Sequence, residues 1–459
     1  MIVMKFGGTS VESAAAIGQA AGIVRARLAR RPLVVVSAMG KTTNRILAAA
    51  EKAAAGNLED ALHDADELEA FHRSEAGAAI GPALRARMDA VLQAEFDSLE
   101  TVMEQIVEEG QVTPVLWDAA ASHGERLSAA LMALAFEGQG METAHLDART
   151  VIITDLQHTH AVPLYSRTYA RLKQQAVPLL ENHEVVVMGG FIGASPGGVT
   201  TTLGRGGSDF SASIVGSGID AEEIQIWTDV DGMLTCDPRV LPGGRRLKKV
   251  SFEEAAEMAY FGAKVLHPAM VAPAVEKNIP VRILNSRRPE VEGTLIVAET
   301  VRSTNPVKSI ACKRDITVVN VRSLRMLMAY GFLHRIFDVF ARFRTPVDMV
   351  ATSEVSVSLT IDQTQMLREI EAELSKIAEV TVTPGQAIVC LVGEAIRETP
   401  GVSARVFGAL ARAGVNVRMI SQGASRLNLS IIVEDAEVTK AVAALHAELF
   451  SSVDEEVFA

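Results

Sequence analysis

Cysteine, aromatic side chains, long apolar runs and basic clusters are all scarce in this sequence, and each scarcity removes a class of protein. The three cysteines, Cys236, Cys312 and Cys390, lie more than seventy positions apart. With no CxxC pair, neither a disulfide framework nor a thiolate zinc site is expected. Reduced thiols in a cytoplasmic protein fit best. Aromatics make up only 5% of the chain, and the net charge is −12. Both argue against a nucleic-acid surface. No stretch reaches the roughly eighteen apolar residues of a membrane helix. The opening MIVMKFGG lacks the basic-then-apolar order of a signal peptide.

What is present is a globular composition, 48% hydrophobic and 22% charged over 459 residues. That length predicts about two to four domains. Up to about Val297, short β-branched runs alternate with longer helical patterns. Ile2–Phe6, Leu33–Ser37, Val185–Gly193, Glu223–Trp227 and Pro280–Leu284 read as buried strands, and Val11–Leu28, Arg126–Phe136 and Phe252–Ala259 as helices. The alternation predicts a mostly parallel sheet with helices on both faces. Ligands of such sheets bind beyond the carboxyl ends of the strands. Three glycine-rich stretches fall there: GGTS, AMGKTTN and GGFIGA. Glu51 to about Glu109 reads as acidic and helical, and the i, i+4 pair His63 and Glu67 as a solvated face.

Several motifs have two readings each. Gly40-Lys41-Thr42 imitates the end of a Walker A loop, but Val35 stands where that pattern needs glycine. In KFGGTS, Lys5 ends a strand and Thr9-Ser10 open a helix, an arrangement that holds phosphate or simply turns the chain. SHGE reads as a capping box, with Ser122 as N-cap and Glu125 at N3. WTDVDGMLTCDPR places Thr228 and Asp229 at a strand end and Asp237-Pro238-Arg239 in a turn. In FGAKVLHP, Lys264 sits beside a helix end. TTLGRGGSDF sets Arg205 among glycines. That is either a surface turn or a loop that brings backbone and a guanidinium close to an anion.

The last third repeats itself. At a constant offset of 70, Gly331/Gly401, Arg335/Arg405, Phe337/Phe407, Ala341/Ala411, Arg342/Arg412, Val347/Val417 and Met349/Met419 coincide. Strand-like runs follow both copies, so two tandem α+β units of loop, amphipathic helix and two strands are expected.

Taken in order, KFGGTS, SAMGKTTN, SHGE, GGFIG, TTTLGRGGSD, WTDVDGMLTCDPR and EAAEMAYFGAKVLHP resemble the aspartate kinases of the amino acid kinase family. The repeat resembles that family's two ACT domains. MLMAYGFL with VDMVATSEVSVSL resembles its monofunctional, lysine-regulated type. The resemblance implies an amino acid kinase fold over 1–297 and two ferredoxin-like ACT domains over 308–380 and 381–459, the last strand able to pair back with the first. It implies ATP with Mg²⁺, L-aspartate as acceptor, L-lysine as effector, and a homodimer or dimer of dimers through the ACT domains. ATP contacts would come from Lys5, Gly7, Gly8, Thr228, Asp229, Arg239 and Lys264, and aspartate contacts from Thr43, Glu125 and Arg205. Lys5, Arg205, Asp209 and Lys264 would carry catalysis, with no protein ligand set for a metal. Lysine would contact Met326, Ala329, Phe332, Leu333, Val347, Asp348, Ser353 and Glu354. Two departures stand out: Leu234 where the family often has tyrosine, and Ala329 in place of a serine. A sister kinase with another acceptor, or an inactive amino-acid sensor, are the alternatives.

Overall fold

Strand-forming residues dominate the centre of the first of two compact units, 1–232 with 265–298. The structure, a computed structural model, describes residues 1–262, 271–299, 303–326, 330–394, 396–422 and 425–459. Lys264 and Ala329 fall outside the described residues. The strands are β1 (Ile2–Phe6), β2 (Pro32–Val36), β3 (Thr143–Leu146), β4 (Val185–Gly189), β5 (Ile192–Ala194), β6 (Thr200–Thr202), β7 (Glu223–Thr228), β8 (Lys249–Ser251), β9 (Val281–Asn285) and β10 (Thr294–Val297). All but β8 belong to the first unit.

Seven of them run in the order β3-β4-β2-β1-β7-β9-β10. Every pairing is parallel except the antiparallel β9–β10. The central strands are buried throughout, as IVMKF, PLVVV and VVVMG predict for a sheet covered on both sides. Ile2, Met4 and Phe6 join a core with the helices Ala14–Arg25 and Pro114–Gly138. On the opposite face, Val3 and Ile224 meet the helix Gly207–Gly218. Each fully buried aliphatic side chain contributes about 1.5–3 kcal/mol.

Three expectations need correction. The helix read as Val11–Leu28 starts later, at Ala14, with Ser13 accepting from the Ala16 N–H, and ends at Arg25. Thr9 and Ser10 form only a single 3₁₀ turn. The strand read as Val185–Gly193 breaks at Gly190-Phe191, because Phe191 adopts φ +65° and turns the chain into β5. The third concerns the helix bearing Glu125. It begins at Pro114, not Arg126, so Ser122 and Glu125 lie in its middle and form no capping box. Thr113 is the N-cap, accepting from the Leu116 N–H at 3.3 Å, with Pro114 at the first helical position. His63 and Glu67 are exposed and 3.7 Å apart, a solvated pair as read.

The second unit comprises 233–264 with 299–459, so residues 233–264 group with the repeats. Its strands are β11 (Ser309–Arg322), β12 (Val350–Thr352), β13 (Ser356–Ile361), β14 (Glu379–Val392), β15 (Met419–Gln422) and β16 (Asn428–Glu434), in one sheet of order β12-β13-β11-β14-β16-β15. The repeat appears as read. Gly331 and Gly401 cap equivalent helices, Phe332–Arg342 and Val402–Arg412, both in the left-handed region at φ 74° and 87°. Asp348 N–H donates to the Thr360 carbonyl as Arg418 N–H does to Ile432.

The two copies are not separate sheets, however. In β11, residues 309–313 pair with 388–392 of the second copy, and 316–322 pair with 379–386, with bulges between. Asp315, in the bulged stretch, has φ +58°. At the unit's edge, Ser251 and Glu254 form a true capping box for the helix Phe252–Tyr260. Glu254 also meets Lys308 at 2.8 Å, both side chains almost wholly buried.

Candidate active site

The carboxyl ends of β1, β2 and β4 meet at one point because their loops bind each other. Ser37 N–H donates to Phe6 O, Gly190 N–H to Val36 O, and Gly40 N–H to Gly8 O. A side chain at Gly8 would stand 2.9 Å from the Ala38 and Gly40 carbonyl oxygens, so this turn requires glycine. The loop before the Gly207–Gly218 helix closes over the same point. Gly206 caps that helix at φ +73°. A Cβ on Gly207 would reach within 2.7 Å of the Phe191 ring.

The result is a cleft of about 290 Å³ lined by Lys5, Ser37, Thr43, Glu125, Phe191 and the stretch 204–209. That is the low end of ligand sites, suited to a small molecule. A second depression beside it, about 220 Å³, is lined by Gly8, Ala38, Gly40, Lys41 and Asn44 together with Ser37, Thr43 and Glu125.

Four of the predicted groups that line the first cleft are ionisable. Lys5 Nζ lies 2.7 Å from Asp209 Oδ1, with side-chain exposures of 11% and 18%. Arg205 is exposed and has no hydrogen bond or ion pair among the described residues. Its guanidinium is therefore available to a ligand. Glu125 is 5% exposed. Its Oε1 accepts from the Ala38 N–H at 3.3 Å, while Oε2 is buried without a partner among the described residues. Burial pushes the Glu125 carboxyl up to about 8, against the opposing pull of the Ala38 N–H, its own N–H, the Thr43 hydroxyl and the Lys5 charge.

The structure thus brings Lys5, Thr43, Glu125, Arg205 and Asp209 to one cleft. Gly7 and Gly8 border it on the β1 turn, where Gly7 N–H donates to Trp227 O. Thr228 and Asp229 follow β7, the parallel neighbour of β1, and the Thr228 hydroxyl donates to Asp229 Oδ1 at 3.3 Å. Ser286 Oγ ties that end back to the β1 turn, 2.8 Å from Ser10 Oγ and 3.0 Å from the Thr228 carbonyl. Arg239 belongs to the second unit and is held by its own turn, Nε to Asp237 Oδ1 at 3.0 Å.

Sequence reasoning missed Phe191, Ser37 and Ser208 as lining residues. Ser37 and Ser208 stood inside quoted motifs. Phe191 stood inside GGFIGA, but its left-handed backbone is imposed by tertiary packing and not signalled locally. The Thr113-Pro114 pair was the readable sign that Glu125 lies mid-helix.

Residues 1–285 match the amino acid kinase family, and residues 389–449 match an ACT domain. The chain is 37% identical to the lysine-sensitive aspartokinase 3 of Escherichia coli, covering 98% of this chain and 99% of that one. It is also 37% identical to the chloroplastic aspartokinase 1 of Arabidopsis thaliana, over 98% of this chain and 80% of that protein. The crystal structure of E. coli aspartokinase III in complex with lysine and aspartate (T-state) superposes with TM-score 0.84 at 34% identity, over 98% of this chain and 99% of the other. The same enzyme with aspartate and ADP (R-state) gives 0.80 at 35% identity, over 98% and 100%.

Proposed function

Because the chain belongs to the aspartokinases of the amino acid kinase family, we propose that its cleft transfers the γ-phosphoryl group of ATP to the β-carboxylate of L-aspartate. The product is 4-phospho-L-aspartate, which opens the route to lysine, threonine and methionine. The observation that carries this is the convergence of Lys5, Glu125, Arg205 and Asp209 on one small cleft. A sister kinase would use another acceptor and an inactive sensor would show no turnover. ADP formation that requires aspartate, and is not supported by glutamate, decides between them.

Aspartate's β-carboxylate is already an anion at neutral pH, so the reaction needs no general base. The obstacle is bringing one anion onto a polyanion. Lys5, backed by Asp209, faces the transferring phosphoryl group. The start of the Gly207–Gly218 helix, the positive end of its dipole, favours negative charge at the same place. Arg205 takes the α-carboxylate in a two-point grip and Glu125 the α-ammonium, with Thr43 beside it. Gly7, Gly8, Thr228, Asp229, Arg239 and Lys264 are assigned to ATP.

Among the described residues no group of three acidic, His or Cys side chains could hold a metal. Mg²⁺ would be carried mainly by phosphate oxygens and water, with Glu125 and Asp209 the carboxylates that line the cleft. When bound, Mg²⁺ supplies neutralising charge on the phosphates. We assign catalysis to 1–297, regulation to 308–380 and 381–459, and homodimer or dimer-of-dimers assembly to the regulatory repeats of a cytoplasmic enzyme.

Glu125 gives the reaction a pH signature. Its carboxyl holds a proton up to about pH 8 in the free protein. A bound α-ammonium favours the carboxylate, so aspartate binding below that pH must expel a proton. KM for aspartate is expected to fall as pH rises from about 6 toward 8, by up to about tenfold per unit. Glu125→Gln should bind aspartate weakly at every pH and flatten the profile. Equal slopes in wild type and variant would remove Glu125 from this role.

Feedback inhibition by L-lysine is assigned to the first repeat. Phe332 is buried in that repeat's core, and its ring lies under the Arg335 guanidinium at 5.2 Å. Leu333 is exposed, and Met326 and Val347 are half-buried. Ser353 and Glu354 form the β12–β13 turn, closed by Ser353 Oγ to Ser356 Oγ at 2.7 Å. Asp348 is the acceptor for the effector's side-chain ammonium. At the matching position Arg418 pairs with Glu434 and would repel lysine. Asp348→Ala should keep turnover within about twofold and lose at least about tenfold in lysine sensitivity, while Arg418→Ala keeps both. Lysine titrations of the three proteins check this, and an Asp348→Ala variant as sensitive as wild type would place the site elsewhere.

A further inference from the structure

Asp348 already holds an ammonium that belongs to this chain. Its side chain is 5% exposed, and Lys313 Nζ lies 2.7 Å from its Oδ1. The Tyr260 hydroxyl donates to the same oxygen at 3.1 Å. Lys313 also reaches Asp362 Oδ2 at 2.8 Å and lies 5.6 Å from the centre of the Tyr260 ring. The second carboxylate oxygen of Asp348, Oδ2, is buried with no hydrogen-bond partner among the described residues. One cation between two carboxylates leaves the cluster one negative charge in excess.

Lys313 is placed there by the backbone. It pairs opposite Ile388, the last pair before the ladder shifts register. A bulge re-aims the side chains beside it, and here Lys313, on a strand paired with the second repeat, reaches the acids of its own first repeat. Hydrogen bonds to Asp348 and Asp362 raise the Lys313 ammonium above its ordinary range even though burial, the largest single influence, opposes this. It is therefore charged at neutral pH. Position 383, at the 70-residue offset, is Thr383. The second copy instead carries its cation at Arg418 and its acid at Glu434.

We propose that Lys313 is a resident competitor for the effector's ammonium at Asp348, and that it sets the lysine concentration at which inhibition begins. This rests on the lysine-site reading given above. A primary ammonium on a four-carbon stem is the same chemistry as the effector's own side chain, and its tether gives it a high effective concentration. The effector gains Asp348 as Lys313 shifts toward Asp362, or shares the carboxylate through Oδ2. In both cases the like charge of Lys313 weakens its hold.

The test uses the full-length protein. Lys313→Met and Lys313→Gln remove the charge, and Lys313→Arg keeps it. L-lysine binding is measured by isothermal titration calorimetry, and inhibition by aspartate-dependent ADP formation. The neutral variants should keep lysine-free turnover within about twofold and respond to about fivefold or more lower lysine. Lys313→Arg should stay within about twofold of wild type. Two neutral variants keep the test alive if one folds poorly. A wild-type protein that is lysine-inhibited while both neutral variants are equally or less sensitive overturns the inference alone. Tightening by Lys313→Arg equal to that of Lys313→Met also overturns it. A wild type that neither binds nor responds to L-lysine overturns the site reading, and this inference with it.

Discussion

Arg205→Lys is expected to lower kcat/KM for aspartate by about 100-fold while KM for ATP stays within about twofold. Arg205 is exposed on a glycine-flanked loop and makes no internal bond among the described residues. The substitution should therefore leave stability within about 0.5 kcal/mol of wild type, as at other surface positions. The whole effect is then a binding effect. A guanidinium offers two parallel N–H donors in a fixed plane, whereas a lysine offers a point charge on a flexible stem. A carboxylate held at one point rather than two pivots, and misplacement of the β-carboxylate lowers turnover as well as affinity. Steady-state kinetics with each substrate varied in turn checks this. Aspartate parameters within about twofold of wild type would remove Arg205 from the substrate site.

Lys5→Ala should be more damaging to turnover and gentler on aspartate. We expect kcat to fall by about 10²–10³ with KM for aspartate changed less than about threefold. The Lys5 ammonium is already positioned, 2.7 Å from Asp209 and largely shielded from water. It therefore meets charge developing on the phosphoryl group without reorganising. Removing it also leaves the Asp209 carboxylate uncompensated beside the phosphates. Lys5→Ala combined with Asp209→Asn should then be no slower than Lys5→Ala alone, since the two groups act as a unit. Large loss of aspartate affinity with preserved turnover would contradict the assignment.

These two residues were legible because each stands in a motif whose backbone role is local. Lys5 is the fourth of five buried strand residues, and Arg205 sits where glycines must supply left-handed turns. The repeat was legible for the same reason, since Gly331 and Gly401 cap equivalent helices. What escaped notice was set by distant partners. SHGE satisfies the capping pattern locally, yet the helix extends upstream to Pro114, where Leu116 and Ala120 continue its apolar face into a second core cluster. Phe191 is forced into its backbone conformation by packing against the Gly207 loop. The Lys313–Asp348 pair joins residues 35 positions apart across a bulge that no periodicity announces.

The shared strands of the regulatory sheet also impose an order on biosynthesis. Residues 309–313 find their partners in β14 at 388–392, about seventy-five residues later in the chain. At roughly 5–20 residues per second of translation, that is a delay of about 4–15 seconds. Throughout it β11 has an unpaired edge, the kind of backbone that invites pairing with another nascent chain. Neither repeat can close until the second has emerged from the ribosome. A messenger truncated between the repeats would thus yield an open-edged sheet rather than a smaller regulatory domain.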